Sequence, residues 1–188
     1  MGSKSYTFLL FLLMFIAVGC NDSHNNHYAL VLREQREKPI EKSKQEQVDQ
    51  ALLKANQVIN EKELQQIKGY IERRKWGMKK LNTGVFVEQL SKGKGKTINS
   101  NSIVSIDCKI ELLDGKKVYD SKIDGLKQIN FGKEQSVIGL IYALNNMNEG
   151  TKLRAIIPSF LAYGLNGDGD RIPKRSSLVY EIEIKEVK

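Results

Sequence analysis

The sequence has little of what holds a small fold together from outside its core. Its 188 residues contain two cysteines, Cys20 and Cys108. Cys20 closes an N-terminal apolar segment, and with it modified no intramolecular disulfide is possible. Stability must then come from burial of apolar surface, even in an oxidising compartment. The two histidines, His24 and His27, lie in one polar stretch without other ligand types beside them. They read as solvated residues rather than metal ligands. No apolar run approaches the roughly 20 residues that a membrane-spanning helix needs. The net charge is +8, from 30 Lys and Arg against 22 Asp and Glu, but both signs are interspersed along the chain. No basic stripe laced with aromatics forms, which argues against nucleic acid as a partner. The "KGKGK" segment, Lys92 to Lys96, lacks the Walker spacing and a following helix, so it reads as a turn and not a phosphate loop.

A further absence concerns calcium. "YGLNGDGDRIP", Tyr163 to Pro173, alternates Asn166, Asp168 and Asp170 with glycines. A calcium loop starting at Asn166 would need Gly at its sixth position and Glu at its twelfth. Arg171 and Ser177 stand there, and Pro173 precedes a strand instead of a helix. The reading is no metal and no cofactor. The glycines mark a sharply bending loop, and Asp168 and Asp170 read as solvated charges on its rim.

What is present divides the chain into four parts. Residues 1–19 read as a secretory signal: Lys4, an apolar run from Phe8 to Val18, then small residues. "AVGC" resembles a lipobox, which makes Cys20 the expected site of lipidation and a membrane anchor the expected consequence. Residues 20–44 are polar without a sustained period and read as a flexible tether. Residues 45–83 read as helical. Val48, Leu52 and Ala55 are three and four apart, Asn60 with Glu63 resembles a capping box, and Leu64, Ile67 and Ile71 form an apolar face. These helices could pack on the body or pair with a second copy or another partner. Trp76 reads as packing the helix end onto the body.

From Gly84 the period becomes two. "GVFVEQL" is a first strand. Val104, Ile106, Cys108, Ile110 and Leu112 alternate with Ser105, Asp107, Lys109 and Glu111, which predicts a half-buried strand. Asp114-Gly115 predicts a hairpin and "KVYDS" the return strand. "SVIGLIYALNNM" predicts a buried helix of about two and a half turns. Leu153, Ala155 and Ile157, then Leu178, Tyr180, Ile182 and Ile184, give two more one-faced strands. Strands joined by hairpins with one buried helix predict an α+β fold, an antiparallel sheet curled around that helix.

"VSIDCKIELLDGKKVYDS", "INFGKEQSVIGLIYALNNMNEG", "RAIIPSFLAYG" and "RIPKRSSLVYEIEIKEV" follow one another in order. Together they resemble the FK506-binding-protein (FKBP) family of peptidyl-prolyl cis-trans isomerases over residues 84–188. With the lipobox and the helices, the whole chain is similar to FKBP-type lipoproteins of gliding bacteria and to Mip-like surface isomerases. The resemblance implies an FKBP-like curved sheet of about five to six strands around one short helix, preceded by an N-terminal helical segment. It implies a shallow pocket that accepts a prolyl ring of a polypeptide substrate. Carried over by position, Asp120 and Tyr163 take the catalytic places. Tyr119, Val137, Leu140, Ile172, Tyr180 and Cys108 take the substrate-binding ones, Val137 through its backbone N–H. Asp120 could meet the out-of-plane carbonyl or hold neighbouring side chains. On the residues alone each has a plainer reading: Tyr119 and Tyr180 as core, Asp120 and Ser121 as an Asx turn, Tyr163 as a loop anchor, Val137 as a helix residue.

The sequence also departs from the family. Cys108 stands where Tyr is usual, Leu140 where many members have Trp, and the loop at Leu126 and Lys127 lacks the usual Phe. The pocket is therefore expected to be less aromatic and roomier. Two functions follow as expectations: an anchored isomerase assisting the folding of exported or envelope proteins, or a non-catalytic FKBP-like chaperone or docking module of an envelope complex. Asn21 after the Cys is not the Asp of an inner-membrane retention signal, so the outer membrane is the expected location.

Overall fold

The computed structural model describes residues 23–133 and 137–188, with side chains from Ser43 onward. The expected signal segment and Cys20 lie outside the described residues. The first element is a helix, α1, Ser23–Arg74. The sequence reading places a tether over 20–44, whereas the backbone is helical from Ser23. The stretch holds Leu, Arg, Glu and Lys, which are good helix formers. Asn60 consequently lies inside α1 and begins no helix, so the capping-box expectation fails and Glu63 is left for another task. The helix stops at Lys75, whose φ is 54°. Trp76 N–H then reaches back to Ile71 O at 3.2 Å, a C-terminal cap that satisfies a carbonyl otherwise left without a partner. Arg73 and Arg74 occupy the last turn, where cations are favoured.

The chain divides into two compact units. Residues 1–56 form the first, and within its described part Val48, Leu52 and Leu53 are exposed. Residues 57–188 form the second, which therefore begins within α1 and not at 84. Its strands are β1 Lys79–Lys80, β2 Phe86–Ser91, β3 Ile103–Leu112, β4 Lys117–Asp120, β5 Lys127–Asn130, β6 Lys152–Ile157 and β7 Leu178–Val187. They make one antiparallel seven-stranded sheet in the order β1-β2-β6-β7-β3-β4, with β5 paired to β3. The two-residue β1 brings the count above the expected five or six. Short helices α2, Ser121–Asp124, and α3, Ile138–Leu144, and a 3-10 turn, Ser159–Leu161, complete the unit.

The period of two explains the layering. Val104, Ile106, Cys108, Ile110 and Leu112 share one face of β3 with Leu153, Ala155 and Ile157 of β6 and Leu178, Tyr180, Ile182 and Ile184 of β7. That face packs on Leu140, Ala143 and Leu144 of α3. The opposite face carries Phe86, Ile156 and Val179, and these pack on Ile67 and Tyr70 of α1. The sheet is thus covered on both sides in the 57–188 unit. Trp76 joins the second core edge-on to Tyr70, with ring centroids 5.6 Å apart, and Arg154 lies 4.6 Å over its ring. α3 is shorter than expected, and Ile138 and Tyr142 on it are exposed. Gly139 sets its closeness to the sheet: a Cβ there would meet Ile157 Cγ2 at 2.3 Å.

Candidate functional site

Seven of the eight predicted site residues converge on the α3 face of the sheet. Cys108, Val137, Leu140, Ile172 and Tyr180 are buried in one apolar cluster, and Tyr119 and Tyr163 pack against it half-buried. Strand register explains the first part. Cys108 and Ile110 on β3 pair with Ile182 and Tyr180 on β7, and Tyr119 on β4 pairs with Ile110. Side chains on paired residues share a face. Val137 precedes the first turn of α3, and its carbonyl accepts from Leu140 N–H at 3.1 Å. Tyr163 and Ile172 arrive on the loop between the 3-10 turn and β7.

The eighth residue, Asp120, lies at the edge, outside that cluster. Its carboxylate accepts from Lys122 N–H at 3.1 Å and from Lys117 Nζ at 2.9 Å, so it caps α2. Lys117 first, then that backbone N–H, hold its carboxyl below the usual carboxylate range. These contacts both cap α2 and hold the neighbouring Lys117 side chain. Ser121 beside it ties β4 to β3: its Oγ accepts from Cys108 N–H at 2.8 Å and donates to Cys108 O at 3.1 Å. Burial pushes the Cys108 thiol up, which keeps it protonated and unreactive. Cys108, Tyr119, Asp120, Leu126 and Lys127 line a cavity of about 220 Å³.

The loop shows what sequence reasoning missed. Asp168, half-buried at the rim, is held by partners of its own. It accepts from Tyr119 Oη at 2.6 Å, from Ile172 N–H at 2.7 Å and from Asp170 N–H at 3.0 Å. Partial burial would raise its pKa, but the Tyr119 hydroxyl and the loop N–H groups outweigh that and lower it. The same bond pushes Tyr119 up to about 12. Arg171 completes the latch. Its guanidinium stacks 4.5 Å from the Tyr119 ring centroid and donates to Val118 O at 3.1 Å and Asp124 Oδ1 at 2.9 Å. Gly167 permits the fold-back, with φ 72° and a missing Cβ that would meet Ile172 O at 2.3 Å. The signal for Asp168 was local: an Asp two residues before one backbone N–H and four before another, among glycines, is an Asx-turn pattern. Nothing local announced Arg171 or Asp124.

Two tyrosines remain inside. Tyr163 is half-buried, and burial raises its pKa. Tyr180 is fully buried, its hydroxyl has no partner among the described residues, and its pKa is pushed well up by desolvation. A buried hydroxyl without a partner is costly, so this one is available to a group that enters the cluster. The arrangement offers a dry apolar floor, polar groups at its rim and a loop latched across β4. Among the described residues no group of three or more metal-ligating side chains occurs.

Comparison with known proteins places this geometry. The family model for FKBP-type peptidyl-prolyl cis-trans isomerases matches residues 94–185. The chain is 32% identical over 112 residues to the FKBP-type peptidyl-prolyl cis-trans isomerase FkpA of Escherichia coli, covering 60% of this chain and 41% of that protein. It spans about half or less of the length of the curated relatives it matches first. A peptidyl-prolyl cis-trans isomerase structure from Pseudomonas syringae is 31% identical, with a TM-score of 0.59, over 70% of this chain and 95% of that one. The crystal structure of E. coli FkpA is similar in fold, with a TM-score of 0.59 at 24% identity, in an alignment that covers 100% of this chain and 83% of that one.

Proposed function

The chain belongs to the family of FKBP-type peptidyl-prolyl cis-trans isomerases, and from that premise we propose that it catalyses rotation about X–Pro bonds of polypeptides. The site is the cluster of Tyr119, Val137, Leu140, Tyr163, Ile172 and Tyr180. The observation that carries the reading is their convergence on one apolar face beneath a closed loop.

The reaction asks for no bond to the enzyme. Rotation must break amide resonance, against a barrier of about 18–20 kcal/mol. An enzyme lowers it by binding the twisted amide better than either planar form. The twisted carbonyl has lost conjugation and the prolyl ring is apolar, so the floor of Leu140, Val137 and Ile172 suits both. The hydroxyls of Tyr163 and Tyr180 are placed to orient the peptide. About 6 kcal/mol of such preference gives a factor near 10⁴. The test is refolding of a protein whose slow phase is a prolyl isomerisation, with the purified chain added. Acceleration is expected; none, with the chain's circular dichroism intact, sinks the catalytic reading.

A second reading has its own support. The Tyr119 hydroxyl and the Asp120 carboxylate are both engaged within the protein. This fits a non-catalytic chaperone or docking module, which would suppress aggregation of an unfolded client without accelerating its refolding. The setting is proposed on sequence grounds: lipidation at Cys20, attachment to the outer membrane, and envelope or exported proteins as clients, including those of gliding motility. The exposed Val48, Leu52 and Leu53 suit pairing with a second copy or another envelope protein. Palmitate labelling that persists in Cys20→Ser would rule out the anchor.

A further inference from the structure

We infer that Glu63 is a positioning residue for the prolyl site, acting from α1 on both ends of the loop that carries Tyr163, Asp168 and Ile172. The inference rests on the isomerase reading for its functional half and on geometry for the rest. Glu63 is 8% exposed, although it is a carboxylate on a helix whose apolar face already contacts the sheet through Ile67 and Tyr70. Its Oε1 accepts from Ser159 N–H at 2.6 Å and from Ser177 Oγ at 2.5 Å. Its Oε2 accepts from Ser159 Oγ at 3.0 Å. Ser159 opens the loop and Ser177 ends it, immediately before β7. One side chain therefore grips both ends of a segment that lies 96 and 114 residues away from it in sequence.

The grip reaches the site in one further step. Ser159 O accepts from Ala162 N–H at 3.0 Å and from Gly164 N–H at 2.9 Å, the residues on either side of Tyr163. Gly164 O accepts in turn from Arg175 N–H at 2.7 Å, close to Ser177. Moving the Ser159 peptide therefore moves the backbone that carries Tyr163. The grip lies beside open space, while Leu161, Ala162 and Tyr163 pack on the core from the other side. A cavity of about 480 Å³, bounded by Ile59, Lys62, Gln66, Asp114 and Arg175, opens where helix and loop meet. Hydrogen bonds to a buried charged acceptor are the strong kind, and their loss strands buried donors.

The test compares Glu63→Ala, Glu63→Gln and Ser177→Ala by amide hydrogen exchange and by prolyl isomerisation kinetics. Glu63→Ala is expected to speed exchange at Gly164, Asp168 and Arg175 by at least about tenfold while amides of β3 and β7 stay near wild type. The same variant should lose about tenfold in kcat/KM, mainly through KM. Glu63→Gln keeps an acceptor for Ser159 N–H and should recover most of both effects. Ser177→Ala, which removes one bond, covers the case in which Glu63→Ala does not fold, and should loosen the loop less. Unchanged loop exchange in these variants, or acceleration spread equally over β3 and β7, would overturn the inference. A wild-type chain without isomerase activity would defeat the proposed function but leave the exchange result to decide the coupling.

Discussion

Glu63 and Asp168 each accept three hydrogen bonds around the loop 159–177, and they do so from opposite sides of it. Glu63 sits on another element, buried, and takes its donors from the two ends. Asp168 sits within the loop, partly in water, and takes its donors from the middle and from Tyr119. The first joins pieces far apart in the chain, so its loss opens a gap in a core. The second folds a loop upon itself and latches it to one strand, so its loss frees a surface. Burial decides the difference: a stranded buried donor costs its full desolvation, whereas water replaces a lost partner at the rim.

Mutation can break this comparison, and the largest effect is expected at Glu63. Glu63→Ala should lower the opening free energy of the loop 159–177 by about 3 kcal/mol, read as faster amide exchange within the loop while β3 and β7 stay near wild type. Asp168→Ala should cost about 1 kcal/mol, discounted for solvent, yet it should raise KM for a proline peptide because Ile172 loses its backbone anchor. Equal losses of stability in the two variants would mean that burial is not what separates the two grips. Tyr119→Phe removes one bond of the latch and keeps the ring beneath Arg171. It should cost about 0.5 kcal/mol and loosen loop amides in exchange less than Asp168→Ala does.

The smallest effect is one of pH and sharpens the comparison. The Asp168 pKa is lowered from 3.8, so its contribution is present above that value and fades as pH falls through the lower folded value. Tyr119 is raised from 10.0 to about 12. Its neutral form is the one held, so this contribution is full below pH 10 and is lost as pH rises toward 12. A tyrosinate absorbance titration of wild type should show Tyr119 ionising late, alongside the buried Tyr180. In Asp168→Ala, Tyr119 should return toward 10 while Tyr180 still ionises late; a late-ionising fraction as large as in wild type would show that Asp168 does not hold Tyr119.

The sheet could be read from the sequence because its causes are local. Alternation through β3, β6 and β7 follows from the pleat, and residues two apart in Cys108, Ile110 and Leu112 were bound to share a face. The apolar spacing of Leu64, Ile67 and Ile71 likewise announced that α1 had something to pack on. The positions of Tyr119, Val137, Ile172 and Tyr180 could be assigned only by resemblance, since each is apolar or aromatic in an element where core would look the same. Glu63 was misread for a reason of the same kind. An Asn three residues before a Glu is a start signal only if the helix starts there, and α1 runs straight through. Its real partners lie on other elements, where no spacing rule reaches. Asp168 looked solvated because charge in a glycine loop usually is; the approach of Tyr119 on β4 gives it a partner.

The second core of the sheet bears on how the chain can be divided. The family match begins at residue 94, which invites trimming the protein to the segment from Gly84. Such a fragment would lose Ile67 and Tyr70 and lay bare Phe86, Ile156 and Val179 together. It would also lose Glu63, leaving Ser159 and Ser177 without their acceptor. A sheet with one wetted apolar face is sticky, so the trimmed fragment should gather into oligomers on a sizing column while a piece begun at Gln57 runs as a discrete species. The shortest self-sufficient folding unit is therefore expected to be longer than the stretch the family model matches.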